Sequence, residues 1–145
     1  MGDFSKDIKS KFANNRIKAT LNILYTANWI SNHQNDFFKP FGISPQQFNI
    51  LRILNGAKKP LKVQTIKERM VERSPNATRL MDKLCAKEFI TREHCPSDRR
   101  VVHVDITAKG KKLLKDISKH LKDDLLQNLT EVEAKELSDL LDKIR

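Results

Sequence analysis

The sequence predicts a mainly helical fold with a small β component (mainly α, α+β), and three observations carry that expectation. Apolar residues in the stretch Ser74 to Lys87 recur at i, i+3, i+4 and i+7, as Ala77, Leu80, Met81 and Leu84, and make one stripe of a helix. The period then changes to two. Ile90, Arg92 and His94 alternate with Thr91 and Glu93, and Val102, Val104 and Ile106 alternate with His103 and Asp105. At the other end, residues 5–38 carry Ile8, Phe12, Ile17, Leu21, Leu24 and Tyr25 at ragged helical spacing, with Trp29 and Ile30 beyond.

Taken in order, residues 5–38 read as one helix about 50 Å long at the standard rise. The rest of a small domain cannot cover such a helix, so a partner chain is expected to. Asn14, Asn15, Asn22, Asn28, Asn32 and Asn35 weaken its propensity, and the alternative is two shorter helices broken near Asn14-Asn15. Pro40 and Gly42 interrupt the pattern. Ser44-Pro45-Gln46-Gln47 is a capping box with proline just inside it; it opens a helix with Phe48, Leu51 and Leu54 inward, ended by Asn55-Gly56 and Pro60. Leu61-Lys62-Val63 reads as a brief strand, and Val63, Ile66 and Met70 as a short helix. The turn Val71-Glu72-Arg73 leads to the next helix, with Ser74 as cap and Pro75 in its first position. Two short helices joined by a tight turn, the second donor-rich, make a helix-turn-helix. The two alternating runs flank Cys95-Pro96-Ser97-Asp98-Arg99-Arg100, a hairpin tip that stands out as a wing. Thr107 caps a helix running to about Asn128 on Leu114, Ile117, Leu121 and Leu125. Thr130 to Glu133 is a second capping box, opening a helix with Leu137, Leu140, Leu141 and Ile144 on one face. The predicted fold is thus a winged helix-turn-helix with long N- and C-terminal dimerisation helices.

Charge narrows the function. The 145 residues carry a formal net charge of +10. Residues 52–112 hold 16 Lys/Arg against 7 Asp/Glu, whereas residues 113–145 hold 6 against 8. The excess lies on the helix-turn-helix, which points to a polyanion partner. The side of the 74–87 helix away from its stripe offers Asn76, Thr78, Arg79 and Lys83, with Asp82 the only acid. Amide, hydroxyl and guanidinium donors on one helix face suit the DNA major groove.

Other classes fit poorly. No apolar run approaches the roughly 20 residues of a membrane span, and no signal peptide is visible. A cytoplasmic location and no membrane partner are expected. Two cysteines, Cys85 and Cys95, make no disulfide framework. With His94 and His103 they match no zinc spacing, so no metal is expected. Four scattered glycines form no phosphate loop, and no nucleophile–base pair stands out. No cofactor and no catalysis are expected.

Three motifs together resemble the MarR family of winged helix-turn-helix regulators. Asn76 to Leu84 is similar to that family's recognition helix, with its Thr-Arg-Leu, acid and Leu. Asp98 to Thr107 resembles the wing pattern of Asp-x-Arg, a strand, an aliphatic residue and Thr. Ala108-Lys109-Gly110 matches the Lys-Gly that usually follows. The similarity covers about residues 8 to 145. One departure is Glu88, where the family usually has Gly; without glycine the helix either ends differently or carries about 1 kcal/mol of strain.

The resemblance implies one domain over residues 1–145, with a DNA-binding lobe at 41–106 and a dimerisation lobe of 5–38 with 107–145. It implies a homodimer that binds double-stranded DNA at a palindromic operator, as a repressor. Two-fold symmetry would place two reading helices about 34 Å apart. Arg79, with Ser74, Asn76 and Thr78, is the candidate for major-groove contact. The alternatives for Arg79 are a phosphate contact or an ion pair with Asp82 or Asp98. Arg100 resembles the wing arginine that enters the minor groove, with Asp98 as its orienting partner and Arg99 on phosphate. Lys62, Arg73, Lys83 and Lys87 add phosphate contacts. The resemblance also implies release by a small phenolic or aromatic effector, near Tyr25, Trp29, His33 and Phe48, or by oxidation. From spacing alone those aromatics read as core. Cys85 reads as a small core residue, and Cys95 as a thiol activated beside Arg92 and His94. The rival reading is a winged-helix interaction module whose basic face binds an acidic protein.

Overall fold

A computed structural model describes residues 2–73, 75–121 and 125–145. The chain forms two compact units, residues 1–45 and 46–145. In the first, a single turn α1 (Phe4–Asp7) precedes a helix α2 (Asn15–Phe38), and a 3-10 turn at Lys39–Phe41 closes on Gly42. The expected continuous helix over 5–38 is therefore broken, at the asparagine pair. Asn14 is the cap: its side-chain oxygen accepts the Ile17 N–H at 3.0 Å. Lys9, at φ 52°, has already turned the chain out of α1. Aromatic stacking supports this course, since Phe4 lies 5.4 Å from Phe12 and 5.4 Å from Tyr25 between ring centroids. An asparagine cap and an aromatic cluster outweigh the continuity of the apolar pattern.

The second unit holds α3 (Pro45–Ala57), β1 (Leu61–Lys62), α4 (Val63–Arg69), α5 (Ala77–Ala86), β2 (Ile90–His94), β3 (Val102–Ile106), α6 (Ala108–His120) and α7 (Glu131–Ile144). The sheet is antiparallel in the order β1-β3-β2, with Leu61 opposite Val104 and Ile90 opposite Ile106. Ile50, Leu51 and Leu54 of α3, Ile66 of α4, Met81 and Leu84 of α5, Val104 of β3 and Ile117 of α6 are buried and make the core.

Several expected boundaries move. Gly56 lies inside α3, and the helix ends beyond it, where Lys58 takes φ 55°. α5 starts at Ala77, not Pro75: Asn76 stands at the N-cap position and its carbonyl accepts the Leu80 N–H at 3.0 Å. Ser74, the expected cap, lies outside the described residues. α6 begins as expected, with the Thr107 hydroxyl accepting the Gly110 N–H at 3.0 Å, but ends at His120 rather than near Asn128. Leu121 leaves helical geometry there, and residues 122–124 lie outside the described residues. The Thr130–Glu133 capping box forms in full.

Candidate nucleic-acid interface

Helix α5 is fixed by what lies on either side of it. On its packed side Ala77, Met81 and Leu84 are buried. Its N-terminal approach is held from α3. Asn49 accepts the Val71 N–H at 3.0 Å, Gln46 donates to the Glu72 carboxylate at 2.8 Å, and the amide of buried Gln47 donates to the Leu80 carbonyl at 3.4 Å.

At its C-terminal end the chain closes a Schellman motif. The Phe89 N–H reaches the Leu84 carbonyl at 3.0 Å and the Glu88 N–H reaches that of Cys85 at 2.9 Å. This geometry needs a left-handed residue at position 88, and Glu88 supplies it at φ 62°. The helix end is thus the one glycine would give. The N-terminus of α6 braces it. The Thr107 hydroxyl donates to the Glu88 carbonyl at 2.6 Å, the Thr107 N–H to that of Phe89 at 3.0 Å, and the Lys109 ammonium to that of Lys87 at 3.0 Å. Gly110 makes this approach possible, because a Cβ there would stand 2.3 Å from the Phe89 carbonyl oxygen.

On the outer side, Thr78, Arg79, Asp82 and Lys83 are exposed. Asp82 does not pair with Arg79. Its carboxylate accepts from the Arg92 guanidinium of β2 at 2.5 Å. Asp98 is occupied as well: its carboxylate accepts the Arg100 backbone N–H at 3.0 Å. Arg79 therefore makes no ion pair among the described residues. Arg73 and Lys62 are exposed, on the turn before α5 and on β1. Asn76, at the start of α5, is exposed too.

The wing is a two-stranded ribbon with a structured tip. The Cys95 N–H donates to the Val101 carbonyl at 2.8 Å, and the Val101 N–H to that of Asp98 at 3.0 Å. Nδ1 of His94 lies 3.0 Å from the Arg99 carbonyl oxygen. Asp98 thus shapes the turn through the backbone of Arg100, leaving both guanidinium groups exposed. The expectation that Asp98 orients the Arg100 side chain becomes orientation through the main chain.

The cysteines differ from expectation in detail. Cys85 is half-buried rather than core. Cys95 Sγ lies 3.1 Å from Ser97 Oγ. Its thiol is held below its ordinary range by the Ser97 hydroxyl first, then by the Ser97 and Asp98 backbone, and not by Arg92 or His94. Arg92 is held above its usual range: burial opposes its charge, and hydrogen bonds to Asp82 and Cys85 outweigh that. Arg92, read from the sequence only as a neighbour of Cys95, pairs with Asp82 instead. Its signal was a cation at an inward alternation position of β2. Of the proposed effector residues, Trp29 and His33 meet at 4.5 Å, Tyr25 belongs to the Phe4 cluster, and Phe48 carries the Arg52 guanidinium over its ring at 5.8 Å.

Among the described residues no helix is long and apolar enough to cross a membrane, and no three His, Cys, Asp or Glu gather as metal ligands.

Comparison with known proteins places this arrangement. The MarR family model matches residues 43–102. The HTH-type transcriptional regulator MhqR of Bacillus subtilis (strain 168) is 33% identical over 119 residues, covering 79% of this chain and 81% of MhqR. A MarR transcription factor from Planctomyces limnophilus superposes with a TM-score of 0.71 at 30% identity, covering 92% of this chain and 98% of its own. A mutant MarR from E. coli complexed with operator DNA superposes with a TM-score of 0.76 at 25% identity, covering 92% and 99%.

Proposed function

The chain belongs to the MarR family of transcriptional regulators, and on that premise we propose that it binds a palindromic operator as a homodimer and represses transcription. The observation that carries this reading is Arg79, exposed on the outer side of α5 and without an ion pair among the described residues. With Asp82 taken by Arg92 and Asp98 by the wing turn, Arg79 is available to a guanine edge, beside Thr78 and Asn76. Arg100, and Arg99 beside it, stand on a hairpin tip whose backbone is fixed, as a minor-groove contact requires. Lys62, Arg73 and Lys83 supply phosphate contacts, and Ser74 is assigned to the major groove beside Arg79 from the sequence alone.

The homodimer is supported by apolar faces that each unit leaves open. On α2, Ile17, Leu21, Leu24 and Trp29 are exposed; on α7, Leu137, Leu140 and Ile144 are exposed. Contiguous exposed apolar stripes of this kind mark an interface. A second copy is the proposed cover, with residues 5–38 and 107–145 as the dimerisation lobe. The proposed release signal is a small phenolic ligand or an oxidant. The lowered thiol of Cys95 at the wing base supports the oxidant, and the family resemblance supports the ligand.

The test compares two variants on a duplex selected by the protein from a random-sequence pool and on a scrambled duplex. Arg79→Ala is expected to cost about 1–3 kcal/mol on the selected duplex and to relax base preference at one position of each half-site. Lys83→Ala is expected to weaken both duplexes alike and to lower the salt slope by about 0.9. Two variants that leave DNA binding untouched would sink this reading and favour an acidic protein as the partner.

A further inference from the structure

Arg92 stands at a register position that its neighbours fill with apolar side chains. It lies opposite Val104, one alternation along from the buried pair Ile90 and Ile106, so its side chain leaves the strand on the side that meets the core. On that side the guanidinium meets α5. Asp82 Oδ1 lies 2.5 Å from Arg92 Nη1, with the two side chains 53% and 34% exposed. Among the described residues this is the one ion pair that ties the reading helix to the wing.

Its location argues against a role in stability. Ion pairs this exposed contribute little to folding. What the pair does hold is geometry. α5 and β2 are otherwise joined by the turn at Glu88 and by the core beneath them. Arg79 and Arg100 lie on these two arms, and both must reach the same duplex.

We propose that the Asp82–Arg92 pair is a positioning device for DNA recognition, fixing the wing against α5 so that the major-groove and minor-groove contacts are made together. The inference rests on the DNA-binding reading above.

The experiment uses the full chain with Asp82→Asn, Arg92→Gln and the double variant, titrated against the selected and scrambled duplexes across a salt series. Each single variant is expected to lower the preference for the selected duplex about tenfold. The double is expected to lose no more than either single, as coupled residues do. Salt slopes and thermal midpoints are expected to stay those of the parent protein, and Asp82→Glu to keep most of the preference. A purely electrostatic role gives a different pattern: Asp82→Asn tightens both duplexes, while Arg92→Gln weakens both and lowers the slope by about 0.9. That pattern, or an unchanged preference in both variants, overturns the inference. Should Arg92→Gln fail to fold, Asp82→Asn on the exposed helix side decides by the sign of its effect. A parent protein that prefers no duplex refutes the DNA reading and this inference with it; a discriminating parent with unaffected variants refutes this inference alone.

Discussion

Glu88 holds φ 62°, a region where an L side chain crowds its own carbonyl. The Schellman bonds to Leu84 and Cys85 and the clamp from Thr107 keep it there. Its ion pair with Lys109, at 3.8 Å between exposed groups, offsets little. Glu88→Gly is therefore expected to stabilise the fold by about 1 kcal/mol, read by urea unfolding. Gly110 is the opposite case. A Cβ would meet the Phe89 carbonyl oxygen at 2.3 Å, and backbone cannot swing aside as a side chain does. Gly110→Ala is expected to destabilise by about 2 kcal/mol, despite alanine's better helix propensity. Cys95 carries a third expectation. Its thiol lies below the ordinary range because of Ser97, so iodoacetamide should modify Cys95 before Cys85. Ser97→Ala should move the pH midpoint of that reaction upward.

The helix ends divide by whether their cause is local. The Thr130 box was legible because both partners lie within four residues, and Thr107 likewise declared its helix. The Glu133 carboxylate is held below its ordinary range by the Thr130 backbone N–H first and the Thr130 hydroxyl second. A depressed folded value contributes stability that is present above the unfolded value near pH 4.3 and is lost as pH falls through the folded one. The helical signal of α7 is therefore expected to weaken in acid, and Glu133→Gln to flatten that dependence, as followed by circular dichroism. The break between α1 and α2 was harder to read, because apolar residues continue across it; the cap at Asn14 and the stacking of Phe4 on Phe12 and Tyr25 decide it. The Asp82–Arg92 pair was not legible at all. Its partners lie ten residues apart on different elements, and only the register of β2 on β3 turns Arg92 toward α5.

For the whole molecule, the proposed recognition surface and the proposed assembly surface lie on different parts of the chain. The positive excess of residues 52–112 coincides with α4, α5 and the wing, and the slight negative excess of residues 113–145 with α7. On α7, Leu140 is 61% and Ile144 68% exposed. Leu140→Glu with Ile144→Glu is expected to yield monomers in sedimentation velocity, with little loss of folded structure, since neither side chain contributes to the core. Monomers would present one reading helix each, and operator affinity should fall while binding to a half-site persists.

The basic surface of residues 52–112 either reads base sequence or holds phosphate alone. Fluorescence anisotropy of the duplex upstream of the chain's own gene, against a scrambled duplex at two salt concentrations, measures this directly. A preference of about 10³ or more for the native duplex, retained at the higher salt, is the expected result. Equal binding to both duplexes, falling together as salt rises, would mean phosphate contact alone and would contradict an operator-binding role at that site.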